Sequence, residues 1–225
     1  MNREEVILEI RSFITSQLRK EHDFRVSYLA SEHESLRANP RAKYYQLKRS
    51  ALWMAAYSHI NWIAHFKFLK TEKVDADIPG WLSQMFDWPE EVAIAFWFCG
   101  RNPIAHTGTH NVPYAKNING VKHHILLNFD DPEDWYVTGA YNALPITQTK
   151  RGKGELPSQQ TIFFYQPTEE LLVKLVDDVA LQIQGFNHAD ILKLQKVIKS
   201  FSFFTDDGSL ARLHNYLEVY IHLKH

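Results

Sequence analysis

A chain of 225 residues is long enough for one large domain or two small ones around a substantial buried core, which excludes a mini-protein stapled by disulfides. Charged residues make up 23% of it and hydrophobic residues 45%, the balance of a globular chain rather than a disordered one. Its 25 Lys and Arg are matched by 26 Asp and Glu, for a formal net charge of -1. No global basic field therefore draws in nucleic acid or an anionic membrane, and any such binding must come from a local patch.

The single Cys99 has no intramolecular partner and suits a reducing compartment, so a cytoplasmic location is expected. The opening MNREEVILEIRSF carries charges in its first residues and then helically spaced apolar ones, unlike a secretory signal. The most apolar stretches, 51–68 and 92–99, are interrupted by His, Asn, Ser or Pro, and no membrane association is expected.

In chain order, Ile7, Ile10, Ile14 and Leu18 fall on one helical face behind Asn2 as a candidate N-cap, which predicts an amphipathic helix followed by a polar break. After Pro40, the spacing of Leu47, Ala51, Met54, Ser58, Trp62, Phe66 and Leu69 predicts one helix of about seven turns, interrupted by Lys73 and Pro79. A third helix is expected from Pro89 through Glu90, Glu91, Val92, Ala95, Phe96 and Cys99, with Gly100 as its stop. From Thr107 to Gln166 the chain is rich in Pro and Gly, and HHILLNF, WYV and TIFFY have the length and composition of strands. KRGKG, Lys150 to Gly154, reads as an exposed tip rather than a phosphate loop. Helical spacing returns with Leu172, Leu175, Val176, Val179 and Ile183, ending at Gly185. Asn187 is placed to cap a helix carrying Ile191, Leu194, Ile198 and Phe201, and the turn Asp206-Asp207-Gly208 leads to a last helix with Leu210, Leu213, Leu217 and Ile221.

The most informative stretch is FCGRNPIAHTG, Phe98 to Gly108. Gly100 ends one helix, Asn102 caps the next and Pro103 occupies its first position, which predicts a helix-break-helix corner. Arg101 lies in the break and His106 one turn into the second helix, so both point toward a positively polarised helix N-terminus, a site for an anion. At this chain's usage of Arg, Asn and His, an Arg-Asn-x-x-x-His segment is expected by chance only about 0.03 times.

Through Arg101, Asn102 and His106, the sequence resembles the HEPN superfamily (higher eukaryotes and prokaryotes nucleotide-binding domains), helical bundles marked by an Arg, a polar residue, several spacers and a His. The resemblance covers the helices from about Pro40 to Gly108 and, more loosely, 167–185. It implies metal-independent RNA cleavage in a cleft made by two protomers. It further implies a homodimer, RNA or a nucleotide as ligand, and a toxin or defence setting with an antitoxin or another protein partner. It also implies that many members keep the fold without the activity, so a non-catalytic nucleotide-binding or protein-interaction module stands as the alternative.

The chemistry of the residues agrees with the first of these. RNA carries its own nucleophile, the 2′-hydroxyl. The enzyme then needs a group that exchanges protons near neutral pH and a cation for the phosphorane charge. His106, with an ordinary pKa of about 6.5, is the candidate general acid or base, a role worth about 10²–10⁴-fold in rate. Arg101 grips phosphate in a planar, bidentate manner that Lys does not reproduce, and Asn102 positions phosphate or histidine. The plain structural reading pairs Arg101 with an acidic residue and buries His106 in a satisfied site. Ser58, Asn61 and His65, on successive turns of the long helix, are candidates to line the same cleft, against the alternative of a hydrogen-bonded cluster within the bundle. The His residues at 106, 110, 123 and 124 lack Cys, Asp or Glu at ligand spacing, so neither a metal nor another cofactor is expected. Cys99 reads as a small buried hydrophobe.

The sequence thus predicts a mainly α protein of one domain over 1–225: a HEPN-like helical bundle core over 1–108 with the Arg-Asn-x-x-x-His corner, a small antiparallel β insertion over 109–166, and a C-terminal helical extension over 167–225.

Overall fold

The computed structural model describes residues 3–38, 45–101, 115–118, 121–127, 136–140, 159–164, 169–200 and 207–223. Among them the protein is mainly α-helical. The helices are α1 (Arg3–Ala38), α2 (Tyr45–Phe68), α3 (Ile78–Phe86), α4 (Glu90–Ile94), α5 (Glu169–Gln184), α6 (His188–Ser200) and α7 (Asp207–His222). A 3-10 turn, Val74–Ala76, precedes α3, and a π-helical turn, Ala95–Gly100, continues α4. Asn2, Pro40, the residues from Asn102 to Tyr114, the tip at Lys150 to Gly154, and Phe201 lie outside the described residues.

The chain divides into two compact units, the first formed by Met1–Ser31, Ser58–Asp77 and Glu169–His225, the second by Glu32–Tyr57 and Ile78–Thr168. In the first unit the stripes of α1, α5 and α6 are buried as their spacing predicts, save that Ile7 is half-buried, but the row predicted for α2 is not the buried one: Ser58 is exposed and Leu69 half-buried, while Ile60 and Ile63, off that row, are buried. Ile10, Ile14 and Leu18 of α1, Ile60, Ile63 and Phe66 of α2, and Leu172, Leu175, Val179 and Ile183 of α5 are buried, as are Ile191, Leu194 and Ile198 of α6. On α7 the buried row is Leu213, Leu217 and Tyr220, while Ile221 stays 46% exposed. One residue decides this, because Tyr220 lies three positions beyond Leu217 on the inner face and pairs its hydroxyl with His188 Nδ1.

Each buried aliphatic or aromatic side chain contributes about 1.5–3 kcal/mol, against roughly 0–1 kcal/mol for an exposed ion pair, so burial rather than Arg19–Asp177 (2.9 Å, both side chains half exposed) holds this unit together. Polar links fix the register. Arg11 donates from Nε (3.0 Å) and Nη2 to the Phe186 carbonyl, Gln182 donates to the Lys67 carbonyl (2.8 Å), and Lys67 meets Asp178 at 2.7 Å.

Two expectations are corrected by the helices. No polar break follows Leu18: α1 continues to Ala38, since residues 19–38 contain neither Gly nor Pro and Leu29 supplies a further buried contact. Pro79 does not merely interrupt; it sits in the first turn of α3, where a proline's missing N–H costs nothing, and Ile78, Trp81 and Leu82 bury the inner face of that helix.

The second unit is built on aromatic packing. Trp53 and Tyr57 of α2 meet Phe96 of the π turn at ring separations of 6.1 and 5.1 Å, Tyr57 meets Trp97 edge-on at 5.7 Å, and Trp88 meets Phe96 at 5.4 Å. Helix α3 packs against α4 and the π turn. Four short strands, β1 (Ala115–Ile118), β2 (Val121–Leu127), β3 (Tyr136–Ala140) and β4 (Gln159–Phe164), pair in the order β1-β2-β4-β3, and β1 and β2 lie against the π turn. The β1–β2 and β3–β4 pairs are antiparallel, but β2–β4 is parallel, with Lys122 opposite Gln159 and Leu127 opposite Phe164. An all-antiparallel arrangement therefore does not hold for the central pair. The long connection through β3 gives β4 the crossover that a parallel neighbour requires.

Candidate functional site

Arg101 is the described member of the Arg-Asn-x-x-x-His segment; Asn102 and His106 lie outside the described residues. Its surroundings differ from a simple glycine stop. Gly100 belongs to the π-helical turn, and Arg101 follows in right-handed helical conformation (φ -71°, ψ -47°) with its backbone N–H on the Trp97 carbonyl. Glycine permits a left-handed stop but does not enforce one. Here Ala95 to Gly100 take up an extra residue by widening the coil instead, a feature that recurs at functional sites. Within this turn the Tyr57 hydroxyl donates to the Phe96 carbonyl at 3.0 Å, adding a side-chain donor where backbone bonding is altered. The half-buried Arg101 holds its guanidinium 5.0 Å from the centre of the fully buried Trp97 ring, a cation–π arrangement that limits where the charge can point.

Ser58, Asn61 and His65 follow one another on α2 within the first unit, whereas Arg101 belongs to the second. They differ in burial: Ser58 is exposed, Asn61 half-buried and His65 buried. His65 Nδ1 carries a proton, because it donates to the Lys70 carbonyl at 2.8 Å just past the end of α2. This closes a carbonyl beyond a helix that ends on Leu69 in the left-handed region (φ 50°) without a glycine.

A titratable cluster that the motif reading passed over sits in the first unit. His22 of α1 is 5% exposed, and His59 of α2 is fully buried. Their rings stack at 5.3 Å, and His22 Nδ1 faces His59 Nε2 at 3.1 Å. His59 also stacks on Trp62 (5.5 Å, 16° between planes), and the Arg25 guanidinium lies 5.1 Å from the same indole while approaching Glu21 at 3.9 Å. Burial, above all, pushes both imidazoles below their ordinary pKa. For His22 it outweighs Asp23 and Asp177, which act in the opposite direction, and it is joined by Arg19; for His59 it is joined by His22 and Arg25 and takes the ring to about 2. The signal was present in the sequence, since His22 continues the four-residue row of Ile10, Ile14 and Leu18 inward.

Among the described residues no group of three or more His, Cys, Asp or Glu side chains is placed to hold a metal ion, and no helix is long and apolar enough to cross a membrane. The chain matches no protein-family model, and neither the curated proteins nor the solved structures yield a match to it.

Proposed function

We propose that the protein is a HEPN-like metal-independent endoribonuclease acting on RNA as a homodimer, in a toxin or defence setting with an antitoxin or another protein partner. In this reading the helices to about residue 108 form the HEPN-like bundle, the segment 109–166 is an insertion carrying the sheet, and 167–225 is a C-terminal extension. His106 exchanges the proton of the 2′-hydroxyl or of the leaving 5′-oxygen. Arg101 neutralises the phosphorane, and Asn102 orients the phosphate. The products are a 2′,3′-cyclic phosphate and a 5′-hydroxyl. Ser58, Asn61 and His65 are the proposed substrate-binding residues.

The observation that carries the reading is the succession Arg101, Asn102, His106 in the sequence. It gains support from Arg101 standing half-buried at the end of a π-helical turn, with its guanidinium braced on Trp97. A planar guanidinium restrained by an indole has lost part of its rotamer freedom before a phosphate arrives, which lowers the entropy cost of binding. The test is incubation of RNA with the full chain in excess EDTA. Cleavage by the wild type, lost in His106→Ala with an unchanged circular dichroism spectrum, is expected. If both proteins leave RNA intact while Arg101→Ala weakens nucleotide binding, the chain is instead the non-catalytic module.

A further inference from the structure

The two facing nitrogens of His22 and His59, 3.1 Å apart, have room for one hydrogen between them. With none the lone pairs repel, and with two the N–H groups collide. Two outer nitrogens remain, His22 Nε2 and His59 Nδ1. The neutral pair carries two ring protons in all, one between the rings and one on an outer nitrogen. His59 Nδ1 is buried and has no hydrogen-bond partner among the described residues. An orphaned buried N–H is rarer and more costly than an orphaned lone pair, so the outer proton belongs on His22 Nε2 and His59 Nε2–H donates to His22 Nδ1. A third proton then has a single place to go. Whichever ring bears the charge, an N–H without an acceptor appears at His59 Nδ1.

We infer that the His22–His59 pair is a proton-operated latch joining α1 to α2 within the first unit, closed while the rings share one bridging hydrogen and released when the pair takes up one proton more. The charged groups around it divide. On α1, Asp23 favours a charge on His22 while Arg19 opposes it, and Arg25, which approaches Glu21, opposes one on His59. From α5, Asp177 favours a charge on His22, but Arg19 already engages that carboxylate at 2.9 Å. The two carboxylates act on His22, whereas the added N–H must appear on the His59 ring, 0% exposed between His22 and Trp62.

The sign follows from linkage. In the unfolded chain both rings take a proton as pH falls below about 6.5, whereas in the folded chain they resist it. The stabilisation is complete above that pH and is lost progressively below it. For His59 alone the folding equilibrium falls about tenfold per pH unit, or about 30-fold between pH 7.5 and pH 5.0. The experiment is thermal unfolding of the full chain across that interval, wild type against His59→Phe, which keeps a ring on Trp62 and removes the titration. The wild type is expected to lose melting temperature on acidification and the variant markedly less; parallel losses overturn the latch. Should His59→Phe fail to fold, ring-nitrogen NMR of the wild type decides. The expected result is a neutral His59 with its proton on Nε2 down to pH 5 in the folded protein, and protonation of folded His59 near pH 6.5 overturns it.

Discussion

Tyr57 shows how one hydroxyl ties sequence to site. It sits on the buried side of α2, its ring packs against Phe96 and Trp97, and its oxygen donates to the Phe96 carbonyl within the π turn that leads to Arg101. Replacement by Phe keeps the packing and withdraws the donor from a buried carbonyl. Tyr57→Phe is therefore expected to lower unfolding free energy by about 1 kcal/mol, read from urea denaturation; an unchanged midpoint would show that the carbonyl is satisfied without it. Composition and spacing could mark Arg101 but not Trp97 beneath it, because a cation–π contact between positions four apart depends on helical winding continuing through Gly100. They could mark His65 as a polar residue in apolar company but not its task of donating to the Lys70 carbonyl, which exists only because the chain turns at Leu69.

At the scale of elements, helices whose ends carry conventional signals were the legible ones. Asn187 caps α6 as its position predicts: its Oδ1 accepts from the N–H groups of Ala189 (2.8 Å) and Asp190 (3.2 Å), and the Asp190 carboxylate accepts from the Asn187 N–H (3.1 Å). Asn187→Ala is expected to cost about 1 kcal/mol in chemical denaturation. Ends without such signals were hidden. Leu69, Lys73 and Asp87 all adopt positive φ with no glycine among them, so the boundaries of α2, the 3-10 turn and α3 are set by the surrounding packing rather than by local preference. The first turn of α3 holds Pro79 and Gly80, a pair that reads as a loop. A Cβ at Gly80 would meet nothing within 4 Å, so Gly80→Ala is expected to raise unfolding free energy by about 0.5–1 kcal/mol, measured by denaturant midpoint at unchanged slope. The parallel β2–β4 pair was beyond reach for another reason: strand composition reports neither direction nor neighbour.

At the scale of the whole molecule, the mainly α class was legible because apolar periodicity survives in α1, α5 and α6, and α2 shows where periodicity fails. From His59 to Phe66 all but Asn61 are buried, so this stretch has no polar face, and a pattern that seeks one face cannot tell which histidines lie inside. Each unit carries its own chemistry: the histidine pair in the first and Arg101 on its π turn in the second. The most specific mark of the proposed activity is the end group that an internal 2′-hydroxyl attack must leave. End-group analysis of RNA treated with the full chain in excess EDTA should find 2′,3′-cyclic phosphate and 5′-hydroxyl termini with the wild type and none with His106→Ala. Intact RNA with the wild type, or 5′-phosphate termini that appear only when a divalent metal is supplied, would contradict it.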